Sequence, residues 1–405
     1  MLALVAVGCG DDRGAPGDAT PDAPEPTVSV RITRQSVPLA GLAVFFHAAD
    51  GSLVSSTTTD SDGFAEERVG LGGSVSAVTD FAATTDIKSF VNVTPGERFT
   101  IDGAPNLETP MTDYTVRVTP VAGAVFYRVS VRCLVGTGES IAPNTNPIDL
   151  PVTTTCLEPT ETLVTALDSL GFPIESIVGA EATPTANGVV DLTNEVATPA
   201  GASIVTLANV PAQTELESAR SRGRLQFLAE TEPANNGDHL IVFPDFAGAR
   251  QTIAVTGERP IYVWDEASSA QTIDVAALQV APIMTPNVDR ATQTVSWAGG
   301  ASASFAFGQL FVDNGETLLW SFSGPLEPGT AQLTLPALAE FPLATATRID
   351  VDVGVARTDA RDELHQDGTW VDANNGVVIR QRALLRAPRT AGSAGLAFIG
   401  ANLTF

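Results

Sequence analysis

The chain is 405 residues long and carries 47 acidic against 22 basic residues, a formal net charge of −25. That length is more than one ordinary hydrophobic core can use and points to roughly two to four domains. The acidic balance excludes nucleic-acid phosphates and acidic lipid headgroups as partners. Of the basic residues only Lys88 is lysine; the rest are arginine, a skew that reads as GC-rich coding rather than as physics.

The N-terminus opens on an apolar run, Leu2 to Gly8, that meets Cys9 and is followed at once by Gly10-Asp11-Asp12. Seven apolar residues are too few to span a bilayer, which needs about 20. Ala6-Val7-Gly8-Cys9 resembles the lipobox that ends a bacterial lipoprotein signal peptide. It departs from that pattern at Ala6, where the family prefers Leu, and no basic residue precedes the run. The resemblance implies cleavage after Gly8 and lipidation of Cys9, and so a lipid-anchored protein of the bacterial cell envelope, at the outer membrane or cell surface. Its contact with the membrane would be through that lipid alone. With Cys9 assigned to lipid, Cys133 and Cys156 remain. An oxidising periplasm or surface favours a disulfide between them; the alternative is two separate buried thiols.

Residues 10–27, GDDRGAPGDATPDAPEPT, hold almost nothing apolar beyond Ala and Pro. Such a stretch cannot bury enough surface to offset its ordering entropy, so it reads as a disordered tether. From Val28 the texture turns to strands. Val28 to Ile32 alternates, Leu42 to Phe46 is a short apolar run, and Asp50-Gly51 and Asp60-Ser-Asp-Gly63 mark turns. Gly41 to Val44, the Thr-rich Ser55 to Thr59, the turn Thr59-Asp60-Ser61-Asp62-Gly63 and the alternating Phe64 to Val69 together resemble the carboxypeptidase regulatory-like domain. The resemblance implies a transthyretin-like sandwich over 28–108 and no peptidase activity, because that module accompanies enzymes and receptors without catalysing.

Beyond Thr112 the strand pattern continues through Tyr114 to Val118, Val125 to Cys133, Thr162 to Leu167, Val189 to Leu192, Ile204 to Val210, Leu225 to Ala229, His239 to Phe243, Ile261 to Trp264 and Ile273 to Leu278. Short strands at this spacing predict sandwiches, with 109–280 as one large or two small domains. Only Glu215 to Arg224 has a pattern that suits a short helix. Ala281-Pro-Ile-Met-Thr-Pro286 marks a boundary, and the following Thr292 to Trp297 resembles the opening of a fibronectin type III or Ig-like sandwich over 281–405. The fold class expected is therefore all-β, tandem sandwiches behind a tether. The closing stretch Ala397 to Phe405 reads as a final sandwich strand rather than a barrel signal, since a barrel needs many strands of about ten residues with aromatic girdles.

Chemistry is sparse. The chain has three histidines, His47, His239 and His365, and none lies in a Ser/His/Asp or Cys/His pattern. There is no G-x-S-x-G, H-E-x-x-H, phosphate-cradling or C-x-x-C motif. Asp60-Ser-Asp-Gly63 begins like a calcium loop, yet its twelfth position is Leu71 where a bidentate Glu is required. A β-turn is the better account. The acidic stretch from Asp359 to Gly376 gathers Asp359, Asp362, Glu363, Asp367 and Asp372 around His365 and Trp370. It reads first as a solvated loop, then as a partner tip or a cation site; calcium is the ion its hard oxygens would suit. Trp264, Trp297 and Trp320 lie in apolar strands and belong to cores, leaving Trp370 as the candidate exposed aromatic for a protein or glycan ligand. No cofactor is expected. These features point to a non-catalytic binding or structural module that presents loops on sandwiches. The alternative is a hydrolase acting on envelope or extracellular polymer through carboxylates in 281–405.

Overall fold

A computed structural model describes residues 26–34, 37–79, 85–103, 112–131, 137–141, 145–154, 160–222, 225–228, 231–265, 271–313, 318–339, 341, 343–359, 365 and 391–405. The protein is all-β, a tandem of sandwiches, with six sheets among the described residues. Among the described residues no helix is long and apolar enough to cross a membrane.

The first strands are β1 (Val28–Arg34), β2 (Val37–Pro38), β3 (Ala43–His47), β4 (Leu53–Thr58), β5 (Phe64–Glu67), β6 (Gly73–Thr79), β7 (Thr85–Val93) and β8 (Arg98–Gly103). They enclose a core of Val30, Ile32, Val44, Phe46, Phe90, Phe99 and their neighbours. The turn into β5 is fixed by Asp60, whose Oδ1 accepts from the amides of Asp62 and Phe64, both at 2.9 Å. Gly63 closes that turn at φ +77°, and a Cβ there would overlap the Ile32 carbonyl oxygen. The turn chemistry is thus that of an Asx-capped bend.

A second core gathers Tyr114, Val116, Tyr127, Val129, Leu150, Val164 and Ile177. Its strands are β9 (Thr112–Val118), β10 (Phe126–Val131), β11 (Thr137–Ile141), β12 (Ile148–Thr154), β13 (Thr160–Leu167), β14 (Pro173–Ala182), β15 (Val189–Asp191) and β16 (Thr198–Pro199). A third core, around Val205, Leu207, Ile241, Phe243, Ile253 and Ile261, belongs to the strands that follow. These are β17 (Gly201–Ala208), β18 (Glu215–Arg222), β19 (Leu225–Leu228), β20 (Glu232–Pro233), β21 (Gly237–Phe243), β22 (Arg250–Thr256), β23 (Ile261–Asp265) and β24 (Gln271–Asp274).

Two local expectations fail here. Glu215 to Arg224 suits a helix by composition, yet Glu215–Arg222 is strand β18. It pairs with β22 on one side and with β19 and β20 on the other, and it sends Leu216 and Ala219 into different cores. Long-range pairing overrides the local preference. Ile273 to Leu278 reads as a strand, but only its start is one. Asp274 accepts from the Ala277 amide at 3.2 Å and caps one helical turn, α1 (Val275–Leu278).

The remaining strands are β25 (Ile283–Asp289), β26 (Thr294–Gly299), β27 (Phe305–Val312), β28 (Leu318–Pro325), β29 (Gln332–Thr334), β30 (Arg348–Thr358) and β31 (Gly392–Thr404). Their core holds Val295, Trp297, Leu310, Trp320, Phe322, Ile349 and Val351, and it also takes in Phe45, Ile87 and Val91 from the first unit. Trp264, Trp297 and Trp320 are all buried, as their apolar surroundings suggest.

The sequence does not reveal that the sandwiches are fused. One sheet of 13 strands runs β19-β18-β22-β23-β31-β30-β27-β28-β7-β6-β3-β4, with β20 alongside β18. It enters three of the four cores. The first unit joins the fourth where β7 lies parallel to β28, Ile87 opposite Trp320. The third joins the fourth where β23 pairs with β31, backed by Tyr262, Trp264, Phe305, Phe307 and Leu396. Among the described residues the second unit docks without strand pairing, by Leu163 and Leu167 against Leu225, Phe227 and Phe246. Burying each such side chain contributes about 1.5–3 kcal/mol.

Candidate functional site

The acidic stretch is where sequence places the chemistry, and of its candidates the structure describes Asp359 and, beside them, His365. Asp362, Glu363, Asp367, Trp370 and Asp372 lie outside the described residues, as do Cys9, Cys133 and Cys156. Asp359 follows β30 directly. Its amide donates to the Ser393 carbonyl at 3.2 Å, and its Oδ2 accepts from Ser393 Oγ at 2.9 Å. The carboxylate therefore fastens the end of β30 to the start of β31.

His365 is buried at the seam between the first and fourth units. Its ring meets Phe99 at 5.0 Å, Phe305 at 5.8 Å and Phe90 at 6.0 Å, each edge-on. Nδ1 lies 3.4 Å from Glu97 Oε1. This aromatic setting makes it a wedge between cores. His47 is a second buried histidine. Its place at the end of β3 suggests a strand-edge side chain, but it is 1% exposed, between β4 and β6 and against the fourth unit near Ala337. Desolvation pushes its pKa below 6.5, so the neutral ring is favoured. His239, in β21, places Nδ1 2.8 Å from Glu232 Oε1 and Nε2 2.9 Å from the Asn235 carbonyl. The three histidines sit on different elements, and among the described residues no three His, Cys, Asp or Glu side chains converge on a metal position.

Two carboxylates of the fourth unit share one face of β30. Asp350 accepts from Arg348 at 3.1 Å, while partial burial, helped by Asp350, raises the Asp352 carboxyl above its ordinary range. A raised and an ion-paired carboxylate side by side is the kind of asymmetry acid–base catalysis uses. Among the described residues neither lines the three clefts that follow.

Two clefts lie at joints, and a third, of about 550 Å³, lies within the first unit between Ser29, Asp60, Phe64, Glu66 and Arg98. One of about 490 Å³ opens where β23, β24 and α1 meet the start of β31, lined by Val263, Asp265, Gln271, Ile273, Leu278 and Ser393. Gln271 Nε2 donates to Asp265 Oδ2 at 3.1 Å on its rim. A smaller one of about 140 Å³ separates the second and third units, between Leu170, Phe172, Leu240, Phe227 and Arg128. Leu170 is 72% exposed, Leu240 64% and Phe172 49%, an apolar rim that solvent does not favour. Arg128 stacks on Phe227 at 5.4 Å and donates to the Leu228 carbonyl at 3.0 Å. Sequence reasoning missed the clefts at the joints. Leu170 and Phe172 stand in a turn, and only the docking of two units brings Leu240 beside them.

No family model matches the sequence, and no curated protein matches it. Among solved structures, the Bacillus anthracis TIE protein is similar over 62% of this chain, at 11% identity and a TM-score of 0.17; the chain spans 50% of that protein's length. A carbohydrate-binding module of Eubacterium rectale Amy13K, solved with maltoheptaose, covers 43% of this chain and 96% of its own, with 11% identity and a TM-score of 0.16. The major pilin SpaD of Corynebacterium diphtheriae covers 62% and 97%, with 11% identity and a TM-score of 0.14. Likeness at these scores carries no argument about function.

Proposed function

We propose that this chain is a non-catalytic module of the bacterial cell envelope, held by a lipid on Cys9, that displays binding surfaces on a rigid stack of β-sandwiches. The observation that carries the reading is the continuous sheet of 13 strands. A sheet passing through three cores, with the second unit clamped on by buried Leu and Phe, suits holding surfaces in fixed relation. It is ill suited to the opening and closing by which many enzymes sequester a substrate. The ligand is a protein or glycan, and the joint between the second and third units, with its exposed Leu170, Phe172 and Leu240, is the surface on which to seek it.

The anchor belongs to the same reading, with residues 10–27 as the tether and a Cys133–Cys156 disulfide set in an oxidising compartment. The first unit is read as a carboxypeptidase regulatory-like module. Metabolic labelling with a palmitate analogue tests the address. Wild type should label and Cys9→Ser should not; equal labelling of both ends the lipoprotein reading. For the display surface, Leu240→Asp should abolish retention on envelope material that wild type shows, with the fold intact.

A further inference from the structure

The two ends of the long sheet are treated differently. At one end β18 is covered by β19 and β20, and the second unit then closes over β19, where Arg128 donates to the Leu228 carbonyl and Leu163 and Leu167 pack on Leu225 and Phe227. At the other end β4 pairs with β3 alone among the described residues, and five of its six residues are exposed. An open edge presents a row of unpaired amides and carbonyls, and proteins commonly guard it with Lys, other charges or Pro. Leu53-Val-Ser-Ser-Thr-Thr58 has none of these. It is rich in Val and Thr, which favour strands.

We propose that β4 is a self-association edge at which a second copy of this chain adds antiparallel, β4 to β4, about a two-fold axis. Three features select that occupant. In antiparallel pairing the segment is complementary to itself. With Ser55 opposite Ser56 of the second copy, Val54 meets Thr57 and Leu53 meets Thr58, pairs of the type that stabilise sheets. The charge pattern points the same way: two bodies of net charge −25 repel, so contact is cheapest along Leu53–Thr58, a strand with no charged residue of its own. Finally, the opposite end of this sheet is covered, so head-to-tail growth along it has no acceptor among the described residues and the pairing closes as a dimer rather than growing a fibre. The inference does not depend on the proposed function.

Six paired residues make a small interface, so the dimer is a weak one. Sedimentation velocity on the full chain, carrying Cys9→Ser so that no acyl group drives association, should show monomer passing to dimer as concentration rises toward about 1 mM. Ser56→Lys places two like charges across the axis and should weaken the dimer at least about tenfold. Val196→Lys, a charge at a residue 84% exposed and away from the edge, should leave it unchanged. Amides of 53–58 should gain exchange protection with concentration in wild type and not in Ser56→Lys. Thermal melting of both variants confirms the fold. A chain that stays monomeric throughout, or a dimer that Ser56→Lys leaves intact, overturns the proposal.

Discussion

Trp320 Nε1 donates to Ser89 Oγ at 2.9 Å, joining residues 231 apart in sequence across the parallel seam of β7 and β28. Ser89 in turn meets Ser76 Oγ at 2.6 Å, so a short polar chain crosses an otherwise apolar layer. Trp320→Phe removes the donor and keeps most of the packing. It should cost about 1–2 kcal/mol, read as a lower denaturant midpoint with an unchanged slope. Trp320→Ala should cost about 3–5 kcal/mol.

Gly63 and Gly329 both have positive φ, +77° and +80°, but differ in surroundings. A Cβ at Gly329 meets nothing within 4 Å, whereas one at Gly63 overlaps the Ile32 carbonyl. Gly329→Ala should cost about 1 kcal/mol from backbone strain alone. Gly63→Ala adds a clash with a backbone that cannot withdraw, and its melting temperature should fall further than that of Gly329→Ala.

Acid should loosen the molecule through His47. Burial lowers its folded pKa below the unfolded value of 6.5, so the unfolded chain binds the proton more readily. The contribution is fully present above pH 6.5 and is lost as pH falls from there through the folded pKa. His47→Gln, which cannot charge, should flatten the fall in chemical stability between pH 6.5 and 5 relative to wild type.

Arg220 is buried, 4.4 Å above the ring of Phe243, and its ionic partner Asp245 is 3.4 Å away with a side chain half open to solvent. Desolvation lowers the Arg220 pKa, the mark of a cation kept in a poor environment. Replacing a buried ion pair by apolar residues of similar volume is often neutral or stabilising by about 1–4 kcal/mol, and Asp245, half open to solvent, would not be left as a buried unpaired charge. Arg220→Met should therefore melt at or above the wild-type temperature.

Lys88 is the chain's only lysine and is 1% exposed, with Nζ 3.7 Å from Asp86 Oδ2. An amine-reactive ester should leave it unmodified in the native protein and label it after unfolding, a difference that peptide mass spectrometry reads directly.

Much of the architecture is legible in the sequence because alternation and turn chemistry are local. Asp60 and Gly63 announce their bend, and the runs around Trp264, Trp297 and Trp320 announce buried strands. Pairing is not local. Nothing in Thr85–Val93 says that its partner is Leu318–Pro325, so the fusion of separate sandwiches stays hidden, and Glu215–Arg222 reads as helix until β22 lies beside it. The functional reading suffers from the same gap. A cleft made by Leu170 and Leu240 exists only after two units dock, and Asp359, chosen for its acidic neighbours, turns out to bind Ser393.

The position of β31 sets the order in which the molecule can be completed. This strand, 392–404, lies between β23 and β30 in the middle of the sheet. Until those residues have been made, the first and third units have no common framework, and the flanks of β23 and β30 stand open to other chains. High contact order of this kind slows folding and prolongs exposure to aggregation. A cell making this protein must therefore shield the flank of β23 for the whole time needed to synthesise the fourth unit, and the flank of β30 until β31 follows it, and a nonsense mutation near residue 391 would sacrifice the assembly of three units rather than one.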